Sequence, residues 1–311
     1  SGGQIGTALV RALRDKFGLD RVLATDIKGE GSQEGPFEQL DILDADRLAH
    51  LVDRYQINQI YHLAAILSAV GEKQPRRAWT INMSGLFNVL ELARERPDMR
   101  VFFPSSIAVF GNRTPKLDTP QFTVLEPNTV YGISKVSGEY WCAYYHNKFG
   151  VDVRAVRYPG IIGYEALPGG GTTDYAVEIF HQAIVQGKYE CFLKADTRLP
   201  MMYMPDAIRA TVEIMSAPGD QLDIRSGYNL AGISFSPEEL AQEIKKHIPH
   251  FEITYKPDFR QAIADSWPES IKDERARRDW GWKAKYDLEG MTRDMLIHLE
   301  ERYATSSDFS N

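Results

Sequence analysis

Two cysteines, Cys142 and Cys191, are all that this chain of 311 residues contains. A disulfide framework needs more, so a reducing compartment, the cytosol, is the expected setting. The seven histidines are scattered, with no His-x-x-x-His or paired-cysteine spacing, and no metal site is expected from them. No apolar run reaches the roughly 18 residues that a bilayer crossing needs, and none reads as a signal peptide. Basic residues are in the minority, 36 Lys and Arg against 43 Asp and Glu, for a formal net charge of −7. That balance repels phosphate, and no basic block interrupts it, so nucleic acid is not an expected partner. Internal repeats and low-complexity segments are missing too. What remains is an ordinary globular composition, 43% hydrophobic and 25% charged, long enough for one large domain or two of unequal size.

What the chain does have is an alternation of strands and helices punctuated by small residues. Ser1-Gly2-Gly3-Gln4-Ile5-Gly6 runs into an amphipathic helix through about Phe17, with Ile5, Leu9, Val10 and Leu13 on one face. A glycine turn that opens a helix presents free N–H groups and the positive end of the helix dipole to a pyrophosphate. Gly3 and Gly6 fit the last two glycines of a Gly-x-x-Gly-x-x-Gly turn; the first glycine, and the strand that feeds it, are expected ahead of Ser1. Residues 21–26 read as a buried strand ending in Asp26, about 20 residues after the glycines, where a dinucleotide fold places the carboxylate that binds the adenosine ribose. An acid there repels a 2′-phosphate, which points to NAD rather than NADP. A third strand is expected to end at Leu40-Asp41-Ile42, with Asp41 and Ile42 beside the adenine. A helix over residues 44–55 follows, and residues 59–65 read as the fourth strand and its exit. The small residues Ala64 and Ala65 there allow close backbone approach, and His62 reads as a packed histidine.

A helical stretch over residues 77–96 carries Asn82 and Asn88. The strand over residues 100–104 then delivers Ser105 and Ser106 to the carboxyl end of the sheet, where doubly wound folds bind ligands. Tyr131-Gly132-Ile133-Ser134-Lys135 heads the next helix, and its tyrosine and lysine, four apart, share one face. A free phenol ionises near pH ~10, and a nearby ammonium lowers that value. Lowering it by about three units takes roughly 4 kcal/mol. A phenol tuned in this way takes a proton from a hydroxyl while hydride leaves the same carbon. With a further strand over residues 151–158, the order implies an α/β fold, a doubly wound parallel sheet with right-handed crossovers. Beyond Pro159 the rhythm changes. A glycine-rich loop over residues 168–173 leads to a helix over 174–186, with Asp174 or Thr173 as its cap. A helix over 205–215 and a short strand over 228–230 follow, and the last third, from a helix starting at Ser236-Pro237-Glu238-Glu239 to a last helix over 288–303, reads as a smaller α+β lobe with a frayed tail from 305. Residues 1–163 with about 187–232 are expected to form the dinucleotide-binding part, and about 164–186 with 233–311 the substrate lobe.

Taken together, Gly3-x-x-Gly6, Asp26, His62-Leu-Ala-Ala65, Asn82, Ser105-Ser106-Ile-Ala-Val-Phe-Gly111, Tyr131-x-x-x-Lys135 and Arg157-Tyr-Pro-Gly160 resemble the extended short-chain dehydrogenase/reductase family over nearly the whole chain. The resemblance implies a Rossmann fold and a catalytic set of Ser106, Tyr131 and Lys135, with Ser105 as a strand-end neighbour. It also implies NAD held by Gly3, Gln4, Ile5, Gly6, Asp26, Asp41, Ile42, Leu63, Ala64, Ala65, Asn82, Tyr131, Lys135 and Tyr158. Within the family, the loops Ile66-Leu67-Ser68, Tyr158-Pro-Gly-Ile-Ile-Gly163, Gly169 to Tyr175, Leu199 to Asp206 and Asp265-Ser-Trp-Pro268 are similar to those of the metal-free L-threonine 3-dehydrogenases. That likeness implies oxidation of L-threonine at C3 to 2-amino-3-oxobutyrate, contacts from Ser68, Ser106, Tyr131, Thr173 and Trp267, and a homodimer through the helices after residues 75 and 131. Trp267 also reads as a core aromatic, and Thr173 as a helix cap. The rival within the family is a nucleotide-sugar epimerase or dehydratase. Ile107-Ala108 stands where dehydratases carry Asp-Glu, and Gly160 where sugar-nucleotide enzymes usually place a diphosphate-holding asparagine. A third reading is a non-catalytic NAD-binding regulator, against which the intact serine, tyrosine and lysine speak.

Overall fold

The glycine turn hands the chain to α1 (Gln4–Phe17), whose spacing turns Leu9, Val10 and Leu13 inward. This computed structural model describes residues 1–29, 34–167, 169 and 171–307; Pro168 and Gly170 of the glycine-rich loop and residues 308–311 of the expected tail lie outside them. Next comes β1 (Ala24–Asp26), which ends in the expected acid and pairs in parallel with β2 (Phe37–Gln39). Both strands are shorter than their sequence suggests. A 3-10 turn takes up Leu19–Arg21, and the Asp41 carboxylate accepts the N–H of Leu43 at 3.0 Å, folding the chain into a turn beyond β2.

Helix α2 (Ala45–Arg54) is capped by Asp44, which accepts the N–H of Arg47 at 2.9 Å. It leads to β3 (Gln59–Tyr61), the unpredicted α3 (Ser68–Lys73), α4 (Pro75–Arg94), β4 (Arg100–Ser106), α5 (Val130–Phe149) and β5 (Asp152–Tyr158). The remainder runs β6 (Gly160–Ile162), α6 (Tyr175–Gln186), β7 (Lys188–Cys191), β8 (Leu199–Tyr203), α7 (Met204–Ser216), β9 (Tyr228–Asn229) and β10 (Ile233–Phe235). Helix α8 (Pro237–Lys245), β11 (Glu252–Tyr255), α9 (Arg260–Ala264), α10 (Glu274–Trp280) and α11 (Leu288–Ser307) close it.

Strands β3, β4, β5 and β9 pair in that order, all parallel. Their apolar residues are sandwiched, with Leu86, Leu90 and Cys142 of α4 and α5 on one side and Ala207, Ala210 and Ile214 of α7 on the other. That double burial is what a parallel sheet with crossover helices requires. The edges of β1 and β3 are not paired with one another, and the strand expected ahead of α1 has no counterpart among the described residues. In the later part of the chain β8 pairs in parallel with β6 and antiparallel with β10, while β7 pairs in parallel with β11. Helices α6, α8 and α11 pack with these strands over Ile107–Phe110, which follow directly on β4. Ser236 opens α8 with a complete capping box to Glu239. Among the described residues no helix is long and apolar enough to cross a membrane.

Candidate active site

Strand β4 ends at Ser106, and α5 begins one residue before Tyr131, so sheet and helix present the two hydroxyls to the same space. Thr129 caps α5 by accepting the N–H of Gly132 at 3.0 Å, and Glu72 accepts that of Val130 at 2.8 Å. The Tyr131 hydroxyl lies in hydrogen-bonding reach of the Ser106 side chain. Lys135, one turn on and 5% exposed, donates to the carbonyl of Pro104 at 2.6 Å. Its ammonium sits 5.4 Å from the centre of the Tyr131 ring. Burial pushes the Tyr131 phenol up to about 12, against the lowering hydrogen bond from Ser106. The same burial brings Lys135 down to about 8. Burial therefore works against the ionised phenol that the sequence suggests, and the Ser106 hydrogen bond offsets only part of it.

These side chains line a cleft. Gly3, Gln4, Ile5 and Gly6 at the start of α1 line the same cleft, together with Asp26, Asp41, Ile42, Leu63, Ala64 and Ala65. The first-turn N–H groups of α1 have no side-chain cap, which leaves them to an anion. Burial works against ionisation of Asp26, but the N–H groups of Gly2 and Lys28 lower its carboxyl below the ordinary range. Asn88 donates to the carbonyl of Ile42 at 2.8 Å and so fixes the wall next to Asp41. Helix-end donors, an ionised carboxylate at the end of β1 and small residues at 64 and 65 are a donor set that fits a dinucleotide.

Tyr158 also lines the cleft, but its hydroxyl turns away toward Thr211 and the carbonyl of Ala207 in α7. Asn82 lies behind the wall, not among the lining residues. Its amide accepts from Ile66 N–H at 2.8 Å and donates to Ile66 O at 3.1 Å and to Ser134 Oγ at 3.0 Å, and Ser134 in turn bonds the Tyr131 carbonyl. His62 is buried, and that burial, followed by the charge of Lys135, brings its imidazole down to about 3, so it is a neutral packed ring. Ser68, Thr173 and Trp267 face the cleft from α3, the entry to α6 and the loop after α9. Lys116 holds that last loop by donating to the carbonyls of Asp265 and Trp267 at 2.8 and 3.1 Å.

Two features escape a sequence reading. Thr172 is 1% exposed and lines the cleft, and its hydroxyl, like the indole N–H of Trp267, has no partner among the described residues. Glu139 is buried on α5, the helix of Tyr131 and Lys135, and only its spacing of four from Lys135 signals it.

A family model described as the NAD dependent epimerase/dehydratase family matches residues 1–231. An uncharacterized epimerase/dehydratase of Staphylococcus haemolyticus is 49% identical over 305 residues, 96% of each chain. Among solved structures, a GalE-like L-threonine dehydrogenase from Cupriavidus necator in its holo form is 56% identical, with a TM-score of 0.95 over 96% of this chain and 97% of that one. A monomeric L-threonine 3-dehydrogenase from a metagenome, in its apo form, is 51% identical, with a TM-score of 0.93 over 96% of each chain. The matched segment contains the glycine turn, Asp26 and the serine, tyrosine and lysine of the cleft, and the cofactor is NAD. On that match the chain belongs to the NAD dependent epimerase/dehydratase family, the extended short-chain dehydrogenase/reductases.

Proposed function

We propose that the protein oxidises L-threonine at C3 to 2-amino-3-oxobutyrate, with Tyr131 as general base and Ser106 and Lys135 as its partners. Bound NAD supplies the hydride acceptor and a positive charge. Tyr131 takes the proton of the substrate side-chain hydroxyl, and Ser106 hydrogen-bonds the same oxygen and sets its direction. Lys135 holds positive charge beside the phenolate once water is excluded.

The observation that carries this reading over a sugar-nucleotide substrate is at Gly160. A Cβ there would lie 2.5 Å from the Met201 sulfur and 2.6 Å from Thr173 Cγ2. Met201 and Thr173 thus crowd out a side chain at 160, an asparagine included. The pocket that remains is edged by Ser68, Thr172 and Trp267, and the unpartnered Thr172 hydroxyl and Trp267 N–H suit the polar end of an amino acid. The solved relatives named as L-threonine dehydrogenases support the same substrate. The test is NADH formation from NAD with L-threonine or with no substrate, and chromatography of UDP-glucose incubated with the protein and NAD, since an epimerase or dehydratase returns its hydride and leaves no net NADH. Turnover with threonine alone is expected; turnover of the sugar nucleotide alone would overturn the reading in favour of an epimerase or dehydratase.

Three further points belong to the proposal. The cleft divides a dinucleotide-binding part, residues 1–163 with about 187–232, from a substrate lobe, about 164–186 with 233–311. The protein works in the cytosol, where its buried free Cys142 and Cys191 stay reduced. It pairs as a homodimer through α4 and α5, where Trp79, Ile133, Tyr140 and Tyr144 are exposed.

A further inference from the structure

We infer that Glu139 is a positioning residue that balances the buried positive charge of Lys135 and Arg157 between α5 and β5, keeping the Lys135 ammonium charged and the end of β4 in register with Tyr131. Glu139 is 1% exposed and lies one turn beyond Lys135 on α5. One carboxylate oxygen accepts from Arg157 Nε at 2.8 Å and from Ser105 Oγ at 2.5 Å; the other accepts from Arg157 Nη2 at 2.7 Å. Ser105 precedes Ser106 on β4, and Arg157 stands opposite Ser105 on β5. The last guanidinium nitrogen donates to the Gln121 carbonyl at 3.1 Å and to Asn229 Oδ1 at 3.0 Å. One carboxylate therefore joins the helix that carries Tyr131 and Lys135 to the strand that carries Ser106.

The charges complete the argument. Lys135, Glu139 and Arg157, all buried, sum to a single positive charge, which the phenolate of Tyr131 would cancel. The other titratable groups facing them are His62, held neutral by burial, and Cys142 on the same helix, whose thiol burial pushes up. Glu139 also counters the burial that lowers Lys135, after Cys142. If Glu139 loses its charge, two cations share a site shielded from water. Arg157 cannot release a proton, so Lys135 does. If Arg157 loses its charge instead, Glu139 draws on the Lys135 ammonium alone and Lys135 holds its proton more tightly.

The inference draws on the proposed oxidation only for its effect on turnover; the effect on Lys135 is read without substrate. The test follows the Lys135 ε-carbon by NMR across pH in the NAD-loaded protein, with the signal assigned by its loss in Lys135→Arg. Glu139→Gln should lower the titration midpoint by about one unit or more, Arg157→Gln should raise it, and the double variant should return to within about half a unit of wild type. A salt bridge that only ties α5 to β5 would weaken both single variants without opposite shifts. The inference is overturned if both midpoints stay at the wild-type value or move in the same direction. Should Glu139→Gln not fold, Arg157→Gln and the double variant decide by the same criterion. In the wild type, absence of threonine turnover would refute the proposed substrate and leave the Lys135 result standing. With turnover, the pH profile of kcat/KM in each variant should follow the Lys135 midpoint.

Discussion

At the ring of Tyr131 two effects compete. Burial favours the neutral phenol, and the Ser106 hydrogen bond and nearby positive charge favour the phenolate. On balance burial carries the phenol upward, and the proposed base role would draw on the additional positive charge of a bound nicotinamide. Tyr131→Phe removes the proton acceptor without altering the walls around Asp26 and Gly6. It should lower kcat by about 10²-fold or more and leave NAD affinity, measured by fluorescence titration, within about twofold; retention of a tenth of the wild-type rate would rule out the phenol as base. His62 offers a stability test. Its folded value near 3 lies below the ordinary histidine value, so between those two the unfolded chain binds a proton that the folded chain excludes. The contribution of His62 is complete above the ordinary value and is lost as pH falls toward 3. Urea unfolding at several pH values between those limits should show His62→Gln with a shallower acid slope than wild type, by up to about 1.4 kcal/mol per pH unit.

At the scale of the element, the decisive piece is the first turn of α5. The turn lies against the 3-10 segment Ile107–Val109, and a Cβ on Gly132 would stand 2.2 Å from the Ala108 carbonyl. Backbone cannot yield as a flexible side chain does, so Gly132→Ala should displace the start of α5 while the rest of the sheet holds. About a 10²-fold loss in kcat is expected from a shift of that order, with far-UV circular dichroism and NAD binding close to wild type. Wild-type turnover in this variant would show that the turn tolerates a side chain. Elements of this kind differ in how far a sequence reveals them. Helices α1, α2 and α8 carry periodic apolar faces, and α2, α5 and α8 carry local caps in Asp44, Thr129 and Ser236, so their signals lie within a few residues. Strands β6, β7, β8, β10 and β11 and the short helix α3 have no such local mark. Each is brief, and each is defined by a partner far along the chain, as β7 is by β11.

On the scale of the whole molecule, the outer face of α4 and α5 is the test of assembly. Ile133, Tyr140 and Tyr144 recur at helical spacing on α5, with exposures of 45, 63 and 47%, and ring contacts link Tyr144 to Trp141 and Phe149. Such a stripe is stabilised by burial against a second copy. Sedimentation equilibrium should find a dimer for the wild type and a monomer for a variant carrying Tyr140→Asp and Tyr144→Asp. A monomeric wild type, the state named for one solved relative, would overturn the proposed pairing.

The sequence alone determined the α/β order and the positions of the glycine turn, Asp26, Ser106, Tyr131 and Lys135, because helix spacing, strand alternation and motif intervals are properties of neighbouring residues. It also singled out Asn82 and Tyr158, but not the direction of their polar atoms, which contacts with Ile66, Ser134 and Thr211 set across long separations. Only the tertiary structure decided that Met201 and Thr173 close the space beside Gly160, that Glu139 and Arg157 pair, and that burial works against ionisation of the Tyr131 phenol. Steric exclusion and desolvation depend on what surrounds a residue in space, and no spacing along one chain contains that information.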